Sequence, residues 1–317
     1  MSTIVVSSPE IVREVMKTHD IVFVQRPYSF ASRILSYDSQ NIVFSPHGDY
    51  WRQMRKICIM ELLSAKRVQS FRAIREEKVL NLVKLISLNK TSPINLSKKI
   101  FLLTYGVTAR VAFEGKTKGQ EEFVSIVEEV ADMITIVGMY PSVKLFQVIS
   151  GIRRTLKKMH KRIDQILENI CGKRDIINNR RSGNVRNAEN PQVMKRAQAK
   201  VRRVFEATYL SSIDPKYWNE AEKFDPERFL HSEIDFKGRD FEFIPFGAGR
   251  RICPGISFAI PNIELPLAQL LYHFEWKLPD GKNHEELDME EDLGLIVRRK
   301  NDLILIPIPY DQSSFFC

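Results

Sequence analysis

The chain has 317 residues, of which 44% are hydrophobic and 27% charged, with a formal net charge of +9. That balance excludes a disordered or collagen-like chain and leaves length enough to bury a sizeable core. A basic surface suits nucleic acid, an anionic membrane or an acidic protein equally, so charge bounds the partner without choosing it.

Four cysteines, Cys58, Cys171, Cys253 and Cys317, are scattered with no C-x-x-C pair. This excludes a zinc finger or thioredoxin-like site and favours a reducing compartment over a disulfide framework. The apolar runs Ile4–Val6 and Ile21–Val24 fall far short of the ~20 residues that span a bilayer. With no charged segment leading into an apolar one, neither a signal peptide nor a membrane anchor is expected.

In chain order, Ser2–Val6 is β-branched and strand-like. Ser8-Pro9-Glu10 opens a helix carrying Ile11, Val12, Val15 and Met16. Residues 25–48, with Pro27, Pro46 and Gly48, read as a long irregular connection. Helical periodicity returns over Asp49–Ile59 and again over Ser64–Ser87. From Arg153 to Arg203 the chain is strongly basic, and its middle is nearly devoid of apolar residues. A solvated helix pair joined by a flexible loop accounts for it; no aromatics interleave the charges, which weighs against nucleic acid. After Asp214-Pro215 the chain is rich in Phe, Pro and Gly. An apolar helix follows over Ile256–Phe274, with Pro266 expected to kink it. The tail from Leu293 to Pro309 alternates and reads as a strand pair.

The informative segment runs Phe246-Gly247-Ala248-Gly249-Arg250-Arg251-Ile252-Cys253-Pro254-Gly255. A cysteine serves as a metal ligand or nucleophile only as the thiolate, which needs local positive potential. The amino end of the helix after Gly255 and the flanking Arg250 and Arg251 supply it. Gly247, Gly249 and Gly255 free the loop from Cβ restrictions. A second segment, Trp51-Arg52-Gln53-Met54-Arg55, places Trp51 and Arg55 one turn apart on one helix face. A third is Phe224-Asp225-Pro226-Glu227-Arg228-Phe229.

Together these resemble the haem-thiolate monooxygenases, the cytochrome P-450 family, in its plant microsomal branch acting on terpenoids, alkaloids or flavonoids. The first segment fits the family signature F-x-x-G-x-R-x-C-x-G, and the other two resemble its W-x-x-x-R helix and P-E-R-F box. The resemblance implies a mainly α fold with small β-sheets and haem as cofactor. It implies Cys253 as axial ligand of the iron, with Trp51, Arg55, Phe246, Gly249, Arg251 and Gly255 around the porphyrin and Arg251 pairing with a propionate. It further implies a small apolar substrate, electrons from NADPH through an NADPH-cytochrome reductase and, for the family, the cytosolic face of the endoplasmic reticulum membrane; this chain, read as lacking the anchor, is expected to be cytosolic or peripherally attached.

The chain departs from that pattern. It contains no Asp-Thr or Glu-Thr dipeptide, the acid and alcohol of the family's long distal helix. Its sole E-x-x-R is Glu10–Arg13, at the wrong end of the chain. The reading is a single incomplete domain over residues 1–317, lacking the membrane anchor, the distal helix and the E-x-x-R helix. Deletion joins are expected near 176–190 and 206–214, with no distal catalytic residue intact. Arg228, deprived of its usual partners, is expected to turn to solvent or the local fold to loosen. The competing reading is a catalytically inactive remnant that binds haem or a partner.

Overall fold

A computed structural model describes residues 8–26, 30–89, 91–113, 151–171, 232–283, 286–292 and 298–310, with residues 6, 125–127, 129, 130, 133, 134, 216 and 229 besides. The initial strand over Ser2–Val6, most of the basic stretch beyond Cys171, Arg228 and both expected deletion joins lie outside the described residues. The described chain is mostly helical with small antiparallel sheets, the expected class. It divides into two compact units, one of residues 1–26, 46–70 and 189–272, the other of 27–45, 71–188 and 273–317.

In the first unit, helix α1 (Pro9–Arg13) starts as the sequence predicts, the Ser8 hydroxyl accepting the Ile11 N–H at 3.3 Å. It widens into a π turn, Glu14–Thr18, before α2 (Asp20–Phe23). Helix α4 (Asp49–Ile57) buries Trp51 and also ends in a π turn, Cys58–Leu62. The expected helix over Ser64–Ser87 is two: α5 (Ala65–Ser70) in this unit and α6 (Arg72–Leu88) in the other.

The helix after the cysteine, α9 (Ile256–His273), runs unbroken through Pro261 and Pro266. A proline forfeits one backbone bond but retains helical φ, and the burial of Pro266, Ala268 and Leu270 offsets that loss.

The second unit corrects the reading of residues 25–48, because α3 (Phe30–Leu35) forms inside that stretch. Ala31 and Leu35, four apart, pack with Ile126 and with α8 (Ile152–Cys171), whose Ile152, Leu156, Met159 and Ile166 form one buried stripe. Six residues are too few to hold a helix alone, so burial rather than propensity stabilises α3. Arg153, Arg154, Lys157, Lys158 and Lys161 occupy the exposed face of α8, the solvated face expected of its sequence. Leu156 is fully buried; Leu156→Ala is expected to cost about 2–5 kcal/mol, read as a lower denaturant midpoint at unchanged slope.

Helix α6 packs on α7 (Leu96–Phe113), and Arg110 donates to Glu77 at 2.6 Å across that contact. Among the described residues the tail strands do not pair with each other. Strand β5 (Ile304–Pro309) lies between β1 (Ile94–Asn95) and β2 (Phe274–Lys277), antiparallel to both, while β4 (Arg298–Arg299) pairs with β3 (Glu291–Asp292). The register decides this. Arg298 and Arg299 sit opposite Asp292 and Glu291, a favourable charge pairing. Pro307 and Pro309 fall beyond the two residues that β1 covers, where a missing N–H costs no ladder bond on that side. No helix among the described residues is long and apolar enough to cross a membrane.

Candidate functional site

The cysteine segment forms a closed loop in the first unit. The Cys253 N–H donates to the Phe246 carbonyl at 2.9 Å, and the Ile252 N–H to that of Gly249 at 3.1 Å. Two left-handed residues make the bends possible, Gly247 at φ +69° and Gly249 at φ +65°. A Cβ on Gly249 would strike the Met16 carbonyl in the π turn, so the loop's outer side packs directly on backbone. Gly255 is not left-handed. A Cβ there would stand 3.7 Å from the Cys253 sulfur, and its absence leaves the ground beside the thiol open. Phe246 is half-buried, edge-on to Phe236 with centroids 6.0 Å apart.

Helix α4 meets this loop through the two residues its spacing singled out. Arg55 donates from Nη2 to the Ile252 carbonyl at 2.7 Å, one residue before the cysteine. Trp51, 3% exposed, is the aromatic floor on which cations gather. The Arg251 guanidinium lies 4.3 Å from its ring centroid and that of Arg55 5.5 Å. Arg251 also donates from Nε to the Val24 carbonyl at 3.0 Å, and Arg250 pairs with Asp20 at 2.9 Å. Burial lowers the Arg55 pKa from its usual value, opposed by the neighbouring Cys253 and Cys58. Burial likewise lowers Arg251, with Arg26 and Arg55 adding to it. Both guanidiniums stay charged, since they titrate far above neutrality.

Cys253 is uncrosslinked and partly exposed. Cys58 is also a free thiol, but burial pushes its pKa up and Arg55 only partly opposes this, which makes it the poorer ligand. An accessible thiol beside an open glycine, with guanidiniums and an indole alongside, is a donor set that fits an iron porphyrin with carboxylate side chains. Sequence reasoning missed His47, whose ring lies 5.4 Å from that of Trp51 at 52°. It precedes α4, which begins at Asp49 after an extended Gly48, so no helical period places it. The P-E-R-F resemblance is described only at Phe229, buried against Phe243 with centroids 5.2 Å apart.

The sequence model of the cytochrome P450 family matches residues 1–197 and 199–306. Tabersonine 6,7-epoxidase isoform 1 of Catharanthus roseus is 40% identical over 425 residues, spanning 99% of this chain and 84% of the relative. Premnaspirodiene oxygenase of Hyoscyamus muticus is 33% identical, spanning 99% and 85%. A zebrafish cytochrome P450 solved with progesterone superposes with a TM-score of 0.71 at 17% identity, covering 96% of this chain and 93% of that one, which shows the shared fold. An alignment of 425 positions against a chain of 317 residues leaves at least 108 positions of the Catharanthus relative with no counterpart here.

Proposed function

We propose, for a chain that belongs to the cytochrome P450 family of haem-dependent monooxygenases, that Cys253 ligates the haem iron and that Trp51, Arg55 and Arg251 form the polar edge receiving the haem propionates. The observation carrying this is the convergence of Arg55, Arg251 and Trp51 on the loop that presents the partly exposed Cys253 thiol. Gly249 fixes the loop's outer side, the Phe246 carbonyl holds the Cys253 N–H, and Gly255 borders the sulfur. When bound, haem supplies the activation of dioxygen that inserts one oxygen atom into a substrate. The chain's residues hold and orient it: Arg55 steadies the cysteine loop through the Ile252 carbonyl, and the guanidiniums neutralise the carboxylates.

The substrate we assign is a small apolar plant metabolite, in keeping with plant relatives named for alkaloid and terpenoid oxidation. The electrons come from NADPH through an NADPH-cytochrome reductase at the cytosolic face of the endoplasmic reticulum. Exposed Arg52, Lys56 and Arg250 flank the cysteine loop and suit an acidic partner. Reductase binding is therefore expected to weaken as salt rises above 0.1 M, where exposed charges are screened beyond about 10 Å. Binding unchanged across that range would dismiss the steering.

The 108 or more unmatched positions support a second reading, a single incomplete domain over residues 1–317 with internal joins near 176–190 and 206–214. It is impaired in turnover, at the limit an inactive haem-binding remnant. The test of the haem site is the spectrum of the reduced protein under carbon monoxide. A red-shifted thiolate-type Soret band is expected, lost in Cys253→Ala and kept in Cys58→Ala. The reverse pattern would assign the ligand to Cys58.

A further inference from the structure

His47 stands at the same polar edge, in a setting that leaves positive charge in excess. Its backbone N–H is held by the Gln25 side-chain oxygen at 2.9 Å, which fixes where the imidazole starts. The ring packs at 5.4 Å on Trp51, the indole that also carries Arg251 at 4.3 Å and Arg55 at 5.5 Å. The charged groups acting on it come from three elements: Arg52 from α4, Arg250 and Arg251 from the cysteine loop, and Asp20 from α2. Three of these four are cations; Arg250 is in an ion pair with Asp20 at 2.9 Å and Arg52 with Asp49 at 2.5 Å, while Arg251 and Arg55 lie over the Trp51 ring. A cluster of this composition is completed by an anion, and a ring that can gain a proton adapts to its arrival.

We propose that His47 is a titrating member of the haem carboxylate site, taking up a proton when the propionates bind beside Arg251 and Trp51. This rests on the haem reading above and assigns to it a residue outside the family signature. Partial burial lowers the imidazole pKa below its usual value, and Arg52, Arg250 and Arg251 lower it further while Asp20 opposes them. Without haem, then, the ring is neutral at neutral pH. Two carboxylates brought beside it favour the charged form and raise its pKa. The sign follows from linkage. Between the two pKa values the haem-bound protein holds more protons than the free protein, so haem affinity rises as pH falls through that window and is level outside it. Each unit separating the two pKa values is worth roughly tenfold in affinity.

The test is a titration with ferric haem, followed at the Soret band at fixed ionic strength from pH 5 to 8, for the parent chain, His47→Gln and His47→Lys. Proton uptake on binding is measured in parallel by calorimetry in two buffers of different ionisation enthalpy. Release of the Cys253 proton on ligation is common to all three proteins and cancels in the comparison. The parent is expected to gain roughly tenfold or more over His47→Gln as pH falls, with a matching excess of proton uptake. His47→Lys, permanently charged, should bind at least as tightly as the parent without the His47-dependent slope. With haem dimethyl ester, whose carboxylates are blocked, the difference between parent and His47→Gln should vanish. Equal slopes and equal proton uptake in parent and His47→Gln would overturn the assignment of His47 and leave the haem site standing. Absence of any thiolate-type band in the parent would overturn both.

Discussion

Gly249→Ala is expected to destabilise the first unit by about 2–5 kcal/mol and to strip the protein of haem. Two costs combine. A Cβ at φ +65° is disfavoured by roughly 1–2 kcal/mol, and the same Cβ would drive into the Met16 carbonyl, a backbone atom that no rotamer change can move. Relief requires the cysteine loop and the π turn Glu14–Thr18 to separate, which also displaces Asp20 from Arg250. Gly247→Ala is the matched control: it has the same left-handed backbone, φ +69°, with nothing within 4 Å of its Cβ position. It should lose only the backbone part, about 1–2 kcal/mol, and keep its haem. Denaturant midpoints and Soret absorbance on both variants check this. Equal losses in the pair would show that the Met16 contact carries no energy. Against total stabilities of roughly 5–15 kcal/mol, the larger figure is enough to unfold a marginal domain.

The second expected result concerns turnover. Reconstituted with haem, reductase and NADPH, the chain is expected to form hydroxylated product about 10²–10⁴-fold more slowly than a full-length relative. That range is what a positioned proton-transfer group contributes. On the reading of an incomplete domain the acid–threonine pair that organises proton delivery in the family is lost; the sequence contains neither Asp-Thr nor Glu-Thr. At least 108 positions of the Catharanthus relative are missing with it. A pocket lacking those segments excludes water less well, and a site open to water diverts reducing equivalents into side reactions. NADPH consumption with peroxide as the main product is the expected signature across a screen of terpene and flavonoid substrates. Coupled product formation at a relative's rate would overturn the reading of an impaired enzyme.

What the sequence determined by itself was whatever short range encodes. The spacing around Cys253 is a local signature, because a tight loop, a thiol and a helix start must follow one another along the chain. The Trp51–Arg55 pair on α4 and the solvated basic face of α8 were legible for the same reason: one helical period sets one face. The tertiary structure decided what depends on distant partners. Helix α3 exists because Ala31 and Leu35 find a core supplied more than ninety residues later by Ile126 and by α8. Strand β5 pairs with β1 and β2 rather than with β4, since register and charge matching across the sheet outweigh proximity in sequence. Helix α9 survives two prolines because burial offsets the lost backbone bonds. Gly249 belongs to the fold as much as to the site because Met16 approaches from more than two hundred residues away. His47 is an unremarkable residue between a proline and a glycine until folding sets it on Trp51 among three arginines. Its surroundings are assembled from three elements, and no window along the chain contains them.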